Sequence, residues 1–379
     1  MTNRMLGWGL PCLIACAGWL SDAHADTVVR IGHVAPLTGA IAHLGKDNED
    51  GARLAIDEIN AQGLHISGQK IRLELDPQDD AADPRMSVQV AQRLVDDHVV
   101  AVIGHMTSGT SIPASKIYSD AGILQISPSA TNPTYTQQGF RTTYRMVATD
   151  AQQGPALAAY ARQHMKASTV AIVDDSTAYG QGLASEFEKA ARAQGMTVLS
   201  RDATNDKAID FRAILTKVKS ENPDIIMYGG MDSTGGPFTK QARELGLRSR
   251  VLGGDGLCSE ALSQLAGAAA DNVVCSQAGT ALESMPQGKQ FEAKFEKQFG
   301  KPIELYAPFT YDAVYIVVSA MKRADSIDPA KVLAAMPATD YEGVVGRTSF
   351  DSKGDLKHGV ISIYGFQGGK RSLIEAEKM

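Results

Sequence analysis

Past residue 25 the chain has no tryptophan. Trp8 and Trp19 both lie in the first 25 residues, as do two of the four cysteines. Aromatic residues make up only 6% of the chain, which argues against the aromatic platforms that sugar sites usually want. Neither HExxH nor CxxC occurs and the histidines do not cluster, so no metal and no cofactor is expected. There is no G-x-S-x-G elbow and no phosphate-binding loop. GGDGLC (253–258) is not a G-x-G-x-x-G fingerprint, and GFQGGKR near Lys370 lacks the spacing and the hydroxyl of a phosphate loop. No nucleophile–base set is legible, so an enzyme is not expected. Basic residues are outnumbered 37 to 43 and form no visible patch, so nucleic acid is not an expected partner.

Apolar runs long enough to span a membrane are missing too. The nearest, LGWGLPCLIACAGWL, is short and interrupted; it follows Arg4 and precedes Ala23-His24-Ala25, an A-x-A cleavage pattern before Asp26. Residues 1–25 therefore read as a secretory signal peptide cleaved after Ala25. Leu13-Ile14-Ala15-Cys16 resembles a lipobox, but the residues behind Cys16 stay apolar where a lipid-anchored chain shows a polar tether. Export leaves Cys258 and Cys275 in an oxidising compartment. They frame SEALSQLAGAAADNVV, read as a short helix followed by a strand, whose ends can meet. A Cys258–Cys275 disulfide is expected, stabilising by about 3 kcal/mol on the chain-entropy view.

From Thr27 onward short apolar runs alternate with helical periodicity. VVRIGHV, KIRLELD, VVAVIG and ILQIS are separated by helices at 48–60, where Ala52, Ala55, Ile56 and Ile59 share a face, at PRMSVQVAQRLVDD, and from about Ser111. After Asp150 the alternation restarts as a second α/β unit. The tail adds helices at Gly288–Phe299 and Tyr311–Arg323, then the strand-like VVGRTSFD and HGVISIYGF. Strands of five to seven residues with helices between them predict parallel sheets covered on both faces.

Ligands of such sheets sit beyond the carboxyl ends of strands. Two strand ends here carry hydroxyls and almost no charge. In GHMTSGTSIPASK (104–116), Gly104 closes a strand, Ser111 is expected to cap the next helix and Pro113 to sit in its first turn. The second cluster is Ser127–Thr131. Any one of these hydroxyls reads equally as a helix cap, but two adjacent clusters can hold a carboxylate with dipoles alone. In DSTAYGQGLA, Tyr179 stands at a loop–helix junction, with its phenol expected to face outward. In GGDGLC, glycines flank Asp255, which is expected to be exposed in a concave corner or to serve as a plain turn residue.

Taken in order, PLTG…GKDNEDGARLAIDEIN, VIGHMTSGTSIPASKIY, ISPSATNP, QGP, AYGQGLA and FDSKGD resemble the periplasmic branched-chain amino acid binding proteins of ABC importers, over essentially the whole mature chain. The resemblance implies a type I periplasmic binding fold, with two parallel-sheet α/β lobes joined by three crossing segments. The N-terminal lobe would comprise 27–149 plus 278–356 and the C-terminal lobe 150–277 plus 357–379. It implies that Ser108 and Thr131 hold a ligand carboxylate, and that the Ser129 carbonyl, Tyr179 and Asp255 hold its ammonium. Met106, Thr107, Leu44 and Met231 would border the side-chain pocket. The implied ligand is leucine, isoleucine or valine, and the implied partner is a membrane permease, served by a monomer. Departures exist: some relatives carry glutamate at Asp255, aromatic residues at Met231 and Leu44, and a disulfide at the positions of Ala81 and Thr107. A same-fold sensor of amides, urea or aromatic acids is the alternative.

Overall fold

Two sheets, buried on both faces at their central strands, take up the apolar runs. They are described in a computed structural model covering residues 1–2 and 26–378. The expected signal peptide, with Cys16 and the Ala25 cleavage point, lies almost wholly outside these residues.

The first sheet contains β1 (Thr27–Ala35), β2 (Leu64–Ile66), β3 (Gln69–Asp79), β4 (Ala101–Gly104), β5 (Leu124–Ser127) and β6 (Thr143–Arg145), in the order β2-β3-β1-β4-β5-β6. Only β2 is antiparallel. Its intervening helices are α1 (Ala42–Gln62), α2 (Pro84–Asp96), α3 (Ser108–Ala121) and the single turn α4 (Thr134–Gln137). α2 starts where the sequence directs: Asp83 accepts from the backbone N–H of Arg85 and Met86, and Pro84 occupies the first turn. α1 starts six residues earlier than its apolar stripe. Its first turns contain Asp47 and Asn48, polar residues that are fully buried because they bond to a distant segment.

The second sheet takes α5 (Asp150–Gln163), β7 (Thr169–Asp174), α6 (Ala178–Ala193), β8 (Thr197–Ala203), α7 (Arg212–Glu221), β9 (Ile225–Gly229), α8 (Asp232–Glu244), β10 (Arg250–Gly253), α9 (Leu262–Ala266) and β11 (Val273–Gln277). The chain then returns to the first sheet, where α10 (Gly288–Phe299) and α11 (Ala307–Ala324) pack against α1, and α12 (Pro329–Ala335) packs against α11. A hairpin of β12 (Tyr341–Gly343) and β13 (Gly346–Thr348) follows. Finally β14 (Val360–Gln367) and β15 (Lys370–Lys378) cross back and add antiparallel strands, giving β15-β14-β11-β10-β9-β7-β8. The chain thus passes between lobes three times. Two crossings are tied together by the bond from Ala148 N to the Ala278 carbonyl, 2.9 Å. Cys258 and Cys275 are bonded, with Cα atoms 5.3 Å apart, joining the loop after β10 to β11.

Among the described residues no helix is long and apolar enough to cross a membrane.

Candidate functional site

In each sheet the strand order reverses beside the first strand of that lobe, at β1/β4 and at β7/β9. Such reversals leave a crevice at the strand carboxyl ends. The loops after β4 and β5 meet there in the first lobe; those after β7, β9 and β10 meet in the second.

The loop after β4 leaves the sheet at Gly104, whose φ of +140° and close approach to Val34 O, 2.4 Å from a would-be Cβ, admit no side chain. Thr107, not Ser111, caps α3, accepting from Thr110 N. The helix therefore begins three residues earlier than expected, at Ser108, with Pro113 inside it. Ser111 is buried and donates to the His105 carbonyl, 2.8 Å; Ser127 donates to the same oxygen, 2.7 Å. Ser129 donates to Met106 O, 2.8 Å, and Ser108 Oγ accepts from Asn132 N, 3.2 Å. The two hydroxyl clusters are thus laced into one surface. Arg145, fully buried, holds that surface from behind: it bonds to the Ala130 and Asn132 carbonyls and pairs with Asp355 at 2.6 Å. Thr131 Oγ1 is buried beside the Asp150 carboxyl and makes no full hydrogen bond.

Asp255 faces this surface from the second lobe. It is 2% exposed, so the open corner read from its glycines is in fact closed. Oδ1 accepts from Tyr179 OH and Gln153 Nε2, both 3.0 Å, and Oδ2 from Tyr306 OH, 2.8 Å. Tyr179 points inward rather than outward; its oxygen also accepts from Gly256 N, 2.9 Å. A Cβ at Gly256 would lie 2.7 Å from Met231 Sδ and 2.8 Å from Tyr179 Cε1, so a larger residue there would displace one of them. Burial pushes the Asp255 carboxyl above its ordinary range, although Gln153, Tyr306 and Tyr179 pull it back. Asp150, buried nearby, is pushed to about 8 by desolvation and by the Asp255 charge. Among the described residues no Lys, Arg or His pairs with Asp255. A buried anion with only neutral donors is costly and invites a cation.

Leu44 and Met106 belong to one buried apolar cluster with Ile41, Leu305 and Tyr306, and half-buried Met231 packs on it. A cleft of about 500 Å³ runs along Thr107, Tyr179 and Met231 to Ile41 and Thr177. Of the nine residues expected at the site, Thr107, Tyr179 and Met231 line this cleft, and Leu44 and Met106 belong to the apolar cluster on which Met231 packs; Ser108, Ser129, Thr131 and Asp255 are buried and do not line it. Ala81 and Thr107 line the same cleft.

Two residues at the anion site had no assigned role from sequence. Gln153 stands in the QGP run; it accepts from Asp255 N at 3.1 Å and from Ser276 Oγ at 2.6 Å, so it orients the carboxylate it donates to. Tyr306 lies in KPIELYAP, which carries no motif. Its position is set by Asp47, whose carboxylate accepts from the backbone N–H of Glu304, Leu305, Tyr306 and Ala307.

Two α/β lobes whose strand ends close on a shared buried polar cluster define a two-lobed, cleft-binding receptor for a small molecule. Residues 28–369 match the periplasmic binding protein family, and the chain belongs to it. It is similar to the Leu/Ile/Val-binding protein homolog 1 of Brucella melitensis, at 37% identity over 352 residues, 93% of this chain and 92% of that one. Among solved structures it resembles the leucine-binding protein LivK of Thermotoga maritima, with a TM-score of 0.85, 25% identity, and coverage of 92% of this chain and 98% of that chain. It also resembles LivJ of Streptococcus pneumoniae in complex with isoleucine, with a TM-score of 0.84, 27% identity, and coverage of 93% and 99%. The fold is the type I periplasmic binding fold.

Proposed function

We propose that the protein is an exported, non-catalytic solute-binding protein that captures aliphatic L-amino acids, namely leucine, isoleucine and valine, and hands them to the membrane permease of an ABC importer. One observation carries the reading: a buried carboxylate, Asp255, is held by three neutral donors without a cation, across from loops rich in neutral donors. A zwitterion satisfies both halves. Ser108 and Thr131 would take its carboxylate, while Asp255, Tyr179 and the Ser129 carbonyl would take its ammonium. Leu44, Met106, Thr107 and Met231 would surround the side chain. An aromatic acid would bring only the carboxylate and leave Asp255 unpaired.

In this reading the lobes are 27–149 plus 278–356 and 150–277 plus 357–379, the signal peptide is cleaved after Ala25, and the mature monomer works in the periplasm. Isothermal titration with leucine, isoleucine, valine, alanine, phenylalanine, benzoate and acetamide tests it. Saturable one-site binding of the aliphatic amino acids is expected. Binding of benzoate or acetamide alone would move the protein to the sensor reading, and no response to any amino acid would reject the proposal.

A further inference from the structure

The lobes touch across the cleft at several polar contacts. Tyr306–Asp255 and the bond from Asn132 Nδ2 to Ala178 O lie at the polar head of the site. A further contact, His43 Nε2 to Asp232 Oδ2 at 2.7 Å, joins the start of α1 to the start of α8. Each partner adjoins a residue of the apolar end: His43 precedes Leu44, and Asp232 follows Met231. The Asp232 side chain is fully buried; Ser259 donates to the same oxygen, and Oδ1 has no partner. The His43 side chain keeps 27% of its surface exposed, so bulk protons reach it.

We infer that His43 and Asp232 form a protonation-dependent latch that holds the lobes closed beside Leu44 and Met231, at the apolar part of the cleft. That the ligand is an amino acid rests on the function proposed above; the latch itself does not. The charged groups facing His43 are all acidic: Asp232 from the other lobe, with Glu304 and Asp47 from its own. Glu304 in turn faces Asp47, Asp232 and Glu260, and its Oε2 is buried without a partner. Burial opposes the imidazolium, but Asp232 and the other two carboxylates outweigh it and hold His43 above its ordinary 6.5. Opening separates the pair and returns the imidazole toward that ordinary value. Closure therefore takes up a proton. The latch is fully present below the ordinary histidine value and is lost as pH rises through the higher closed-state value. A contact made only in the closed form acts on release rather than capture.

Release of radiolabelled leucine from the full mature chain tests this. Wild type should release leucine more slowly at about pH 5.5 than at about pH 8.5. His43→Gln should release faster than wild type at the acid end and show a smaller difference between the two. Asp150 titrates in the same range but is common to both proteins, so their difference isolates His43. Identical pH profiles would overturn the latch. If leucine does not bind at all, the amino-acid reading fails, and small-angle scattering of the protein alone decides the latch. Compaction at acid pH in wild type but not in His43→Gln supports it; equal behaviour overturns it.

Discussion

The Tyr306 hydroxyl donates to Asp255 Oδ2 at 2.8 Å, although the tyrosine caps a helix of one lobe and the aspartate lies in the turn after a strand of the other. The anion site is therefore completed by closure. Tyr306→Phe removes one hydrogen bond to a charged acceptor, a contact in the range of about 1.5–3 kcal/mol. Because Asp255 regains water when the lobes part, the lower end is expected, a loss of about tenfold in leucine affinity by titration calorimetry. The melting temperature of the ligand-free protein should barely move. Unchanged affinity would mean that this contact plays no part in holding ligand.

Asp255→Ala leaves the bound ammonium without its counter-charge. Truncating one partner of a buried charge pair costs about 2–5 kcal/mol, so calorimetry should find leucine binding weakened by more than tenfold. Ser108→Ala should cost less, because backbone N–H donors survive. Near-wild-type affinity in Asp255→Ala would remove that residue from the site.

Thr131→Val separates binding from folding. The hydroxyl is buried beside the Asp150 carboxyl without a full hydrogen bond to it, so exchanging it for a methyl group should cost the fold little. Urea midpoints should stay about level, while leucine affinity falls by about 1.5–3 kcal/mol, the worth of one hydrogen bond to a charged group. If stability and affinity fell together, Thr131 would be acting as a framework residue.

Breaking the Cys258–Cys275 bond by a double Cys→Ala exchange should lower unfolding free energy by about 3 kcal/mol, the expectation for a loop near this length. The pair is fully buried, its members 17 positions apart, and Cys258 lies at the end of the turn that begins at Asp255. The same exchange should therefore also weaken leucine binding. A urea titration beside the calorimetry separates the two effects.

Stability should fall between pH 6.5 and 8.5. Burial raises Asp312 to about 7, and burial together with Asp255 raises Asp150 to about 8, from an ordinary 3.8. The folded chain keeps these protons while the unfolded chain has released them, so the folded state loses ground as pH climbs through both values. His33, lowered by burial from 6.5 to about 4, acts the other way, but only below 6.5. Urea midpoints at pH 6.5 and 8.5 check the sign, and Asp150→Asn should flatten the upper part of the curve.

Strands and most helices were legible because their signals are local: apolar runs for sheets covered on both faces, 3.6-residue stripes, and the Asp83–Pro84 cap. Three helices start earlier than their stripes for reasons outside the stripe. α1 and α11 begin at Ala42 and Ala307, where Asp47 and the backbone of 304–307 bond to each other across about 260 residues. α3 begins at Ser108 because Thr107 takes the cap and leaves Ser111 free to brace the His105 carbonyl. The polar site loops were visible as hydroxyl clusters at strand ends and, through the resemblance, as named positions. Gln153, Tyr306 and the His43–Asp232 pair were not, since nothing in a run of neighbours marks which polar side chain will meet a partner from another lobe.

By itself, the amino-acid sequence determined an α/β chain with a disulfide within reach, no metal or nucleophile motif, and two uncharged donor loops, because each of these follows from residues close together. Tertiary structure alone decided that Asp255 is sealed rather than exposed, that Tyr179 turns inward, and that residues of one lobe finish the other's binding surface. Those outcomes depend on how two sheets face each other, and desolvation and cross-lobe hydrogen bonds exist only once they do.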